Sequence, residues 1–307
     1  MTERLKNMAV LFLFSACLAG LPGVDAALGK GSSVTAGAFV PYPVSVRAVG
    51  MGGAYVALAS GSGAPYHNPA RLGYVDERCA GISYADLGGL GLVRNVYLDY
   101  MQPDKGYGAS GVYWNWRGTE VEGPRGEGKL NYAENTVCYA LAKRLGQYIS
   151  VGVALKGYFI STDIEDTGGK GAGVDLALYA TPDPFSTVGL VVRNFWSTMS
   201  WDTGLDMSLP VEIEIGGSYL ILDRLAGVIE LRLEKNHYSA FSIGAEYQVK
   251  PEMFMVRSGL TRRFDRTSPA LGMGFRRDRL RIDYAAELDA GLAGVGTTHR
   301  IGMSLEF

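Results

Sequence analysis

Thr298–Phe307, THRIGMSLEF, decides the fold of this chain. On an extended backbone His299, Ile301, Met303, Leu305 and Phe307 point one way, while Arg300, Gly302, Ser304 and Glu306 point the other. A period of two with unlike faces marks a half-buried strand. Working back from it, the alternation recurs. Leu280, Ile282 and Tyr284 alternate with Arg281 and Asp283; Phe241, Ile243, Ala245, Tyr247 and Val249 alternate with Ser242, Gly244, Glu246 and Gln248; Ile229, Leu231 and Leu233 alternate with Glu230, Arg232 and Glu234. The pattern begins at Cys79 and gives about 14 segments, from 80–87 to 298–307, an even number as in bacterial outer-membrane barrels.

The connections carry the same message. Short, turn-rich ones (Gln102–Gly106, Leu145–Gln147, Asp223-Arg224, Arg277-Asp278) tend to alternate with longer ones at Arg117–Leu130, Ser161–Gly171, Ser197–Pro210 and Glu287–Thr297. Short turns on the periplasmic rim and longer loops outside are the membrane-barrel arrangement. A soluble sandwich also alternates, but it needs a separate supply of apolar core. The expected fold is therefore all-β: a transmembrane antiparallel β-barrel of about 14 strands, residues 79–307. The aromatic Phe307 is the expected C-terminal assembly signal, read by barrel-assembly machinery. The surrounding partner is outer-membrane lipid, in the cell outer membrane of a Gram-negative-type bacterium.

Composition agrees. Glycine is 42 of 307 residues and tyrosine 18, a pairing common in antiparallel outer-membrane proteins. The net charge of −2, with no basic block, argues against a nucleic-acid partner. Arg4 and Lys6 precede an apolar run, Met8–Leu21, too short to span a bilayer as a helix, and Val24-Asp25-Ala26 offers a small residue at a cleavage point. Residues 1–26 read as a signal peptide; lipoprotein cleavage at Cys17 would split the apolar run. Cys79 and Cys138 either pair in the oxidising compartment or remain thiols, the commoner outcome for two lone cysteines.

Between signal and barrel, Arg47–Gly73, RAVGMGGAYVALASGSGAPYHNPARLG, reads as neither strand nor long helix. Gly50, Gly52 and Gly53 allow close backbone approach. Asn68 followed by Pro69 fits an N-cap and first helical position, with Ala70 inside the turn. Such a segment suits the inside of a barrel, and residues 27–78 are expected to form an N-terminal hatch in the lumen.

Val46-Arg47-Ala48-Val49-Gly50-Met51-Gly52-Gly53-Ala54-Tyr55-Val56-Ala57 and His67-Asn68-Pro69-Ala70-Arg71-Leu72, together with the two closing strands, resemble the FadL-type long-chain fatty acid transporters, more closely their PorV/PorQ-type branch. The resemblance implies a 14-stranded barrel with a lumenal hatch that carries Asn68, Pro69 and Ala70. FadL-type members pass hydrophobic molecules; PorV-type members are partners in protein secretion. The first expectation is passage of small, fatty-acid-like hydrophobic molecules across the outer membrane. The alternative is a PorV-type partner of a secreted protein, acting in secretion or envelope organisation without transport. The chain is shorter than the fatty acid transporters, with modest outer loops, which argues against a large external capture site.

No catalytic set appears, and the chain is read as not an enzyme, with no cofactor and no metal site. His67, His237 and His299 are scattered; there is no HExxH, paired CxxC or GxSxG. Tyr55 stands where a dinucleotide fingerprint needs its third glycine. Gly123–Lys129 has phosphate-loop spacing, but Leu130 replaces the magnesium-binding hydroxyl. Asp163, Glu165 and Asp166 read as an acidic loop rather than a calcium site. Inward charges of both signs (Asp99, Lys156, Asp175, Arg193, Glu212, Glu214, Glu230, Arg232, Glu246, Arg257, Arg276, Arg281, Asp283, Arg300) suit pairing across a narrow lumen better than an ion-selective pore. Met199, Trp201, Leu205 and Met207, placed on the outer loop Ser197–Pro210, are a candidate hydrophobic contact or part of an aromatic belt.

Overall fold

A computed structural model describes residues 39, 41–106, 108–122, 128–163, 167–234, 239–263, 266–288 and 296–307. The proposed signal peptide, Cys17, His237, Glu165 and Asp166, and most of Gly123–Lys129 lie outside the described residues.

The alternating segments form an antiparallel up-and-down sheet of 15 strands. They are β1 (Cys79–Leu87), β2 (Val93–Gln102), β3 (Ala109–Glu122), β4 (Lys129–Leu145), β5 (Ile149–Thr162), β6 (Gly169–Asp183), β7 (Ser186–Trp201), β8 (Asp206–Met207), β9 (Glu212–Leu222), β10 (Leu225–Glu234), β11 (Ser239–Lys250), β12 (Phe254–Arg263), β13 (Arg266–Arg277), β14 (Leu280–Leu288) and β15 (Thr297–Glu306). β1 pairs with β15, and β6 with β7, so the sheet closes on itself. β8 has two residues and pairs only with the end of β7, which leaves 14 strands in the ring.

Each strand separates two media. On β15, His299, Ile301, Met303, Leu305 and Phe307 are exposed and Thr298 and Arg300 are buried. Around the ring Ile82, Leu98, Val137, Leu155, Ile243 and Ile282 stand exposed on the outside, a band far larger than a water-facing surface tolerates and suited to lipid. Among the described residues no helix is long and apolar enough to cross a membrane; the chain crosses with strands. All 14 charges read from the sequence as inward sit on the opposite face from this band.

Two loops are shorter than the sequence suggested. β3 and β4 continue to Glu122 and Lys129, because cross-strand pairs such as Arg117–Glu134 and Glu120–Lys129 prolong the ladder beyond the apolar band. Likewise β7 runs on to Trp201, so Met199 and Trp201 belong to a strand rather than a loop. Met199 is fully buried and is not an outer-loop contact; Leu205 and Met207 are exposed.

The segment before β1 lies inside the ring, since it touches inward side chains on opposite walls. It contains α1 (Val46–Gly50), α2 (Ala64–His67) and a 3-10 turn, Pro69–Tyr74. Gly52 and Gly53 take positive φ, 65° and 83°, where a side chain would be strained. The wall makes room in turn. A Cβ on Gly259 would overlap the Met51–Gly52 backbone, and one on Gly152 would overlap Ala70.

Candidate functional site in the lumen

The inner segment is held by polar bonds to the wall. On the β9–β12 side, Glu230 Oε2 accepts the backbone N–H groups of Tyr55 and Val56 at 2.7 and 2.8 Å. Arg47 makes a two-pronged bond to Glu246, Nε to Oε2 at 2.8 Å and Nη2 to Oε1 at 2.6 Å, a fork that fixes orientation as well as distance. The Thr261 hydroxyl donates to Gly52 O. Across the ring Asp99 accepts from Gly63 N–H at 2.6 Å and from the Ser62 hydroxyl at 2.9 Å.

Asn68 is fully buried at the turn into the 3-10 segment. Its Oδ1 accepts from Ala70 N–H at 3.1 Å, and its Nδ2 donates to Val56 O at 2.9 Å and to Leu178 O at 3.2 Å. It therefore caps a turn and ties two parts of the segment to β6. Gly50 packs against Gly272 of β13, and Ala70 lies against Gly152 of β5. His67 is buried between Tyr55 and Tyr66, both ring centroids 5.1 Å away, and its Nε2 accepts from Ser45 N–H at 3.3 Å. Burial, then the nearby Arg193 charge, pushes its pKa down to about 3, so the ring is neutral.

Behind this segment most of the inward charges join into two networks, while the buried Arg300 bonds Val44 O and the Ser83 hydroxyl. Lys156 pairs with Asp175 at 2.6 Å, Arg193 with Glu214 at 2.8 Å, and Arg232 with Glu214, Glu212 and Glu230 at 2.9, 3.3 and 3.6 Å. Arg257 joins Glu246 at 2.6 Å to Asp283 at 2.7 Å, which also takes Arg281. Buried charges persist where they are paired or hydrogen-bonded in this way. With both signs interleaved, the lumen has no single-sign constriction. Cys79 and Cys138 are free thiols, buried in one cluster.

The outer half of the β2–β7 side is different. A cavity of about 40 Å³ lies between Tyr42, Val44 and Tyr66 of the segment and Asn95, Tyr113, Asn115, Thr136, Lys156, Tyr158, Arg193 and Asn194 of the wall. It has room for about one or two water molecules. Asn95 Oδ1 is buried there without a hydrogen-bond partner. Beside it Phe39, Tyr132, Tyr158, Ile160, Met199, Trp201 and Leu209 form an apolar cluster at the outer end of the lumen, with the Phe39 and Tyr158 rings 4.7 Å apart.

The cavity reaches the wall at a bulge. One β6 residue, Asp175, opposes Arg193–Phe195 of β7, and Asn194 has φ 51°. Asp175 Oδ1 accepts from Asn194 N–H at 2.8 Å, while Lys156 and the Tyr158 hydroxyl donate to Asn194 Oδ1 at 2.8 and 2.9 Å. The β7–β9 ladder ends here, at Arg193↔Glu212. Phe195 and Trp196 then both stand exposed on the outside. The sequence reading did not find this bulge.

No protein-family model matches the chain, and no curated protein matches it. Solved structures do. The Pseudomonas putida toluene transporter TodX superposes with a TM-score of 0.68 at 12% identity, over 87% of this chain and 98% of that one. The Ralstonia pickettii toluene transporter TbuX gives 0.64 at 15%, over 86% and 98%. A Pseudomonas aeruginosa FadL homologue gives 0.62 at 13%, over 87% and 98%. At these identities the likeness establishes the fold, which is the outer-membrane barrel fold of FadL-type transporters.

Proposed function

We propose that this chain passes small hydrophobic molecules across the outer membrane of a Gram-negative-type bacterium, with residues 27–78 as its hatch and Gly50, Gly52, Gly53, Asn68, Pro69 and Ala70 as the positions that seat it. The observation that carries this reading is the position of the cavity. It lies at the outer end of the lumen beside an aromatic and apolar cluster, above a segment bonded to the wall on both sides. A hydrophobic solute gains from the rings but meets paired charges further in, where it would have to displace bonded polar groups. The bulge offers another way, since the wall there is missing ladder bonds and its outer side already carries Phe195 and Trp196. Leu205 and Met207 stand exposed at the outer rim as first contacts. The fold neighbours are transporters of toluene and a FadL homologue, which supports the same class of cargo. The secretion-partner reading rests on sequence resemblance alone.

Uptake of toluene and of a long-chain fatty acid, compared in the intact strain, the null and a strain with Gly50–Ala70 deleted, tests this. The intact strain should take up at least one of them faster than the null. The deletion should lose that selective uptake while raising ion conductance in a planar bilayer. Equal uptake in intact and null strains across several hydrophobic substrates would overturn the proposal.

A further inference from the structure

The cavity at the outer end of the lumen contains one polar group with an unused bond. Asn95 is 3% exposed and lines the cavity. Its Nδ2 donates to Asn115 Oδ1 at 2.7 Å and to Trp116 O at 2.8 Å, while its Oδ1 has no hydrogen-bond partner. Turning the amide over would not help, because Trp116 O can only accept. The site therefore lacks a donor. The cations around it are already engaged: Arg117 with Glu134, Lys156 with Asp175 and Asn194.

Beside this group a ring is already seated. Phe39 lines the same cavity, with its ring 4.7 Å from that of Tyr158, and its N–H donates to Glu134 Oε2 at 3.0 Å. Its φ is 60°, a strained value for a bulky residue. The cavity of about 40 Å³ is too small for an aromatic molecule, but it adjoins the ring-sized space that Phe39 fills. With the Phe39 side chain turned out, the two spaces together take a ring and one small substituent.

We propose that the cargo is a phenol, its ring replacing that of Phe39 against Tyr158 and its hydroxyl donating to Asn95 Oδ1. This rests on the reading of the chain as a passage for hydrophobic molecules and narrows it. A hydrocarbon leaves Asn95 Oδ1 unmet. A carboxylate brings a second acceptor to it, and competes for guanidiniums already paired with Glu134 and Glu214. A neutral O–H meets the acceptor while the ring keeps its aromatic neighbours.

The test is protein-dependent uptake: the initial rate in a strain carrying the full-length protein, less that in the null. Toluene, p-cresol and p-toluate are the probes, one ring carrying a hydrogen, a hydroxyl or a carboxylate opposite its methyl group. p-Cresol should reach half-saturation at a concentration about tenfold or more below that of toluene. A purely apolar path would give the reverse order, since toluene is the more hydrophobic. Asn95→Leu should bring the two within about twofold of each other. Phe39→Ala should lower the half-saturating concentration of p-cresol several-fold. Heat modifiability reports whether the variants fold. In the unaltered protein, toluene or p-toluate taken up as well as p-cresol overturns this inference and leaves passage of hydrophobic molecules standing. Uptake of none of the three above the null overturns both. An unchanged preference in folded Asn95→Leu, or unchanged p-cresol uptake in folded Phe39→Ala, overturns the placement of the phenol.

Discussion

The two walls of the lumen hold the same inner segment in different ways. On the β9–β12 side the fit is closed: Glu230, Glu246 and Thr261 each take a specific donor or acceptor of the segment, and Gly259 lets backbone meet backbone. On the outer half of the β2–β7 side the fit is less complete. Tyr66 meets the Tyr113 ring, centroids 5.6 Å apart, and its carbonyl accepts from Arg193 at 3.0 Å, but a cavity remains beside Asn95 and Thr136 and the buried Asn95 Oδ1 is left unmet. The difference shows that a wall rich in inward polar groups does not by itself make a seal. What seals is one-to-one pairing with the segment, and where that pairing lapses, space and a wall bulge occur together.

Glu230 is where this contrast is most easily broken. Glu230→Leu strands the N–H groups of Tyr55 and Val56 and removes one partner of Arg232. Breaking a buried charged pair and leaving donors unmet costs about 3 kcal/mol or more. Urea unfolding of the folded barrel in detergent should show that loss. A cost below about 1 kcal/mol would mean the β9–β12 wall grips the segment no more tightly than the other.

The outer and inner faces of these walls were legible because period two leaves no freedom: once Ile243 faces lipid, Glu246 must face in, and it does. The Asn68-Pro69 cap was legible from local chemistry for a similar reason. What the sequence did not disclose is pairing. Glu230 looks like any other inward glutamate until the segment is seen to end two amides on it. Gly244 was visible as a small inward residue, yet nothing local says that Met51 fills its space. Met199 was misplaced on a loop for a specific reason. The bulge sets Arg193–Phe195 against the single residue Asp175, so Asn194 is buried and Phe195 and Trp196 both stand exposed; the alternation is interrupted there and resumes on the same parity, with Arg193 and Met199 both inward. An interruption of that length reads as the end of a strand to any reader counting in twos.

His67 measures how closely the two walls enclose the segment. Its pKa is lowered from an ordinary value of about 6.5 to about 3. The unfolded chain therefore binds a proton that the folded one does not, and stability contributed by the neutral ring is lost as pH falls below about 6.5 toward 3. The maximum slope is about 1.4 kcal/mol per pH unit. Carboxylates titrate in the same range, so the informative quantity is a difference. Between pH 6.5 and 5.5 the unaltered protein should lose about 1 kcal/mol more than His67→Gln, whose side-chain oxygen still accepts from Ser45. If the two lose the same amount, water already solvates the imidazole and the segment is less tightly enclosed than the geometry indicates.

The smallest effect is the sharpest test of the contrast, because it uses one chemical change on each wall. Thr261 and Thr136 are both inward threonines. The Thr261 hydroxyl contacts Gly52 O and lies 2.8 Å from the Ser242 hydroxyl; Thr136 lines the cavity. Replacing either by valine keeps the shape and removes the hydroxyl. At Thr261 the buried Gly52 carbonyl loses a partner, a cost of about 1–1.5 kcal/mol, whereas Thr136→Val should change stability by less than about 0.5 kcal/mol. The gap of about 1 kcal/mol between the two, read from unfolding midpoints at equal m-values, is the energetic signature of a paired wall beside an unpaired one. Equal costs would show that water in the cavity binds the Thr136 hydroxyl as firmly as protein binds Thr261, and the two walls would then differ in shape but not in strength.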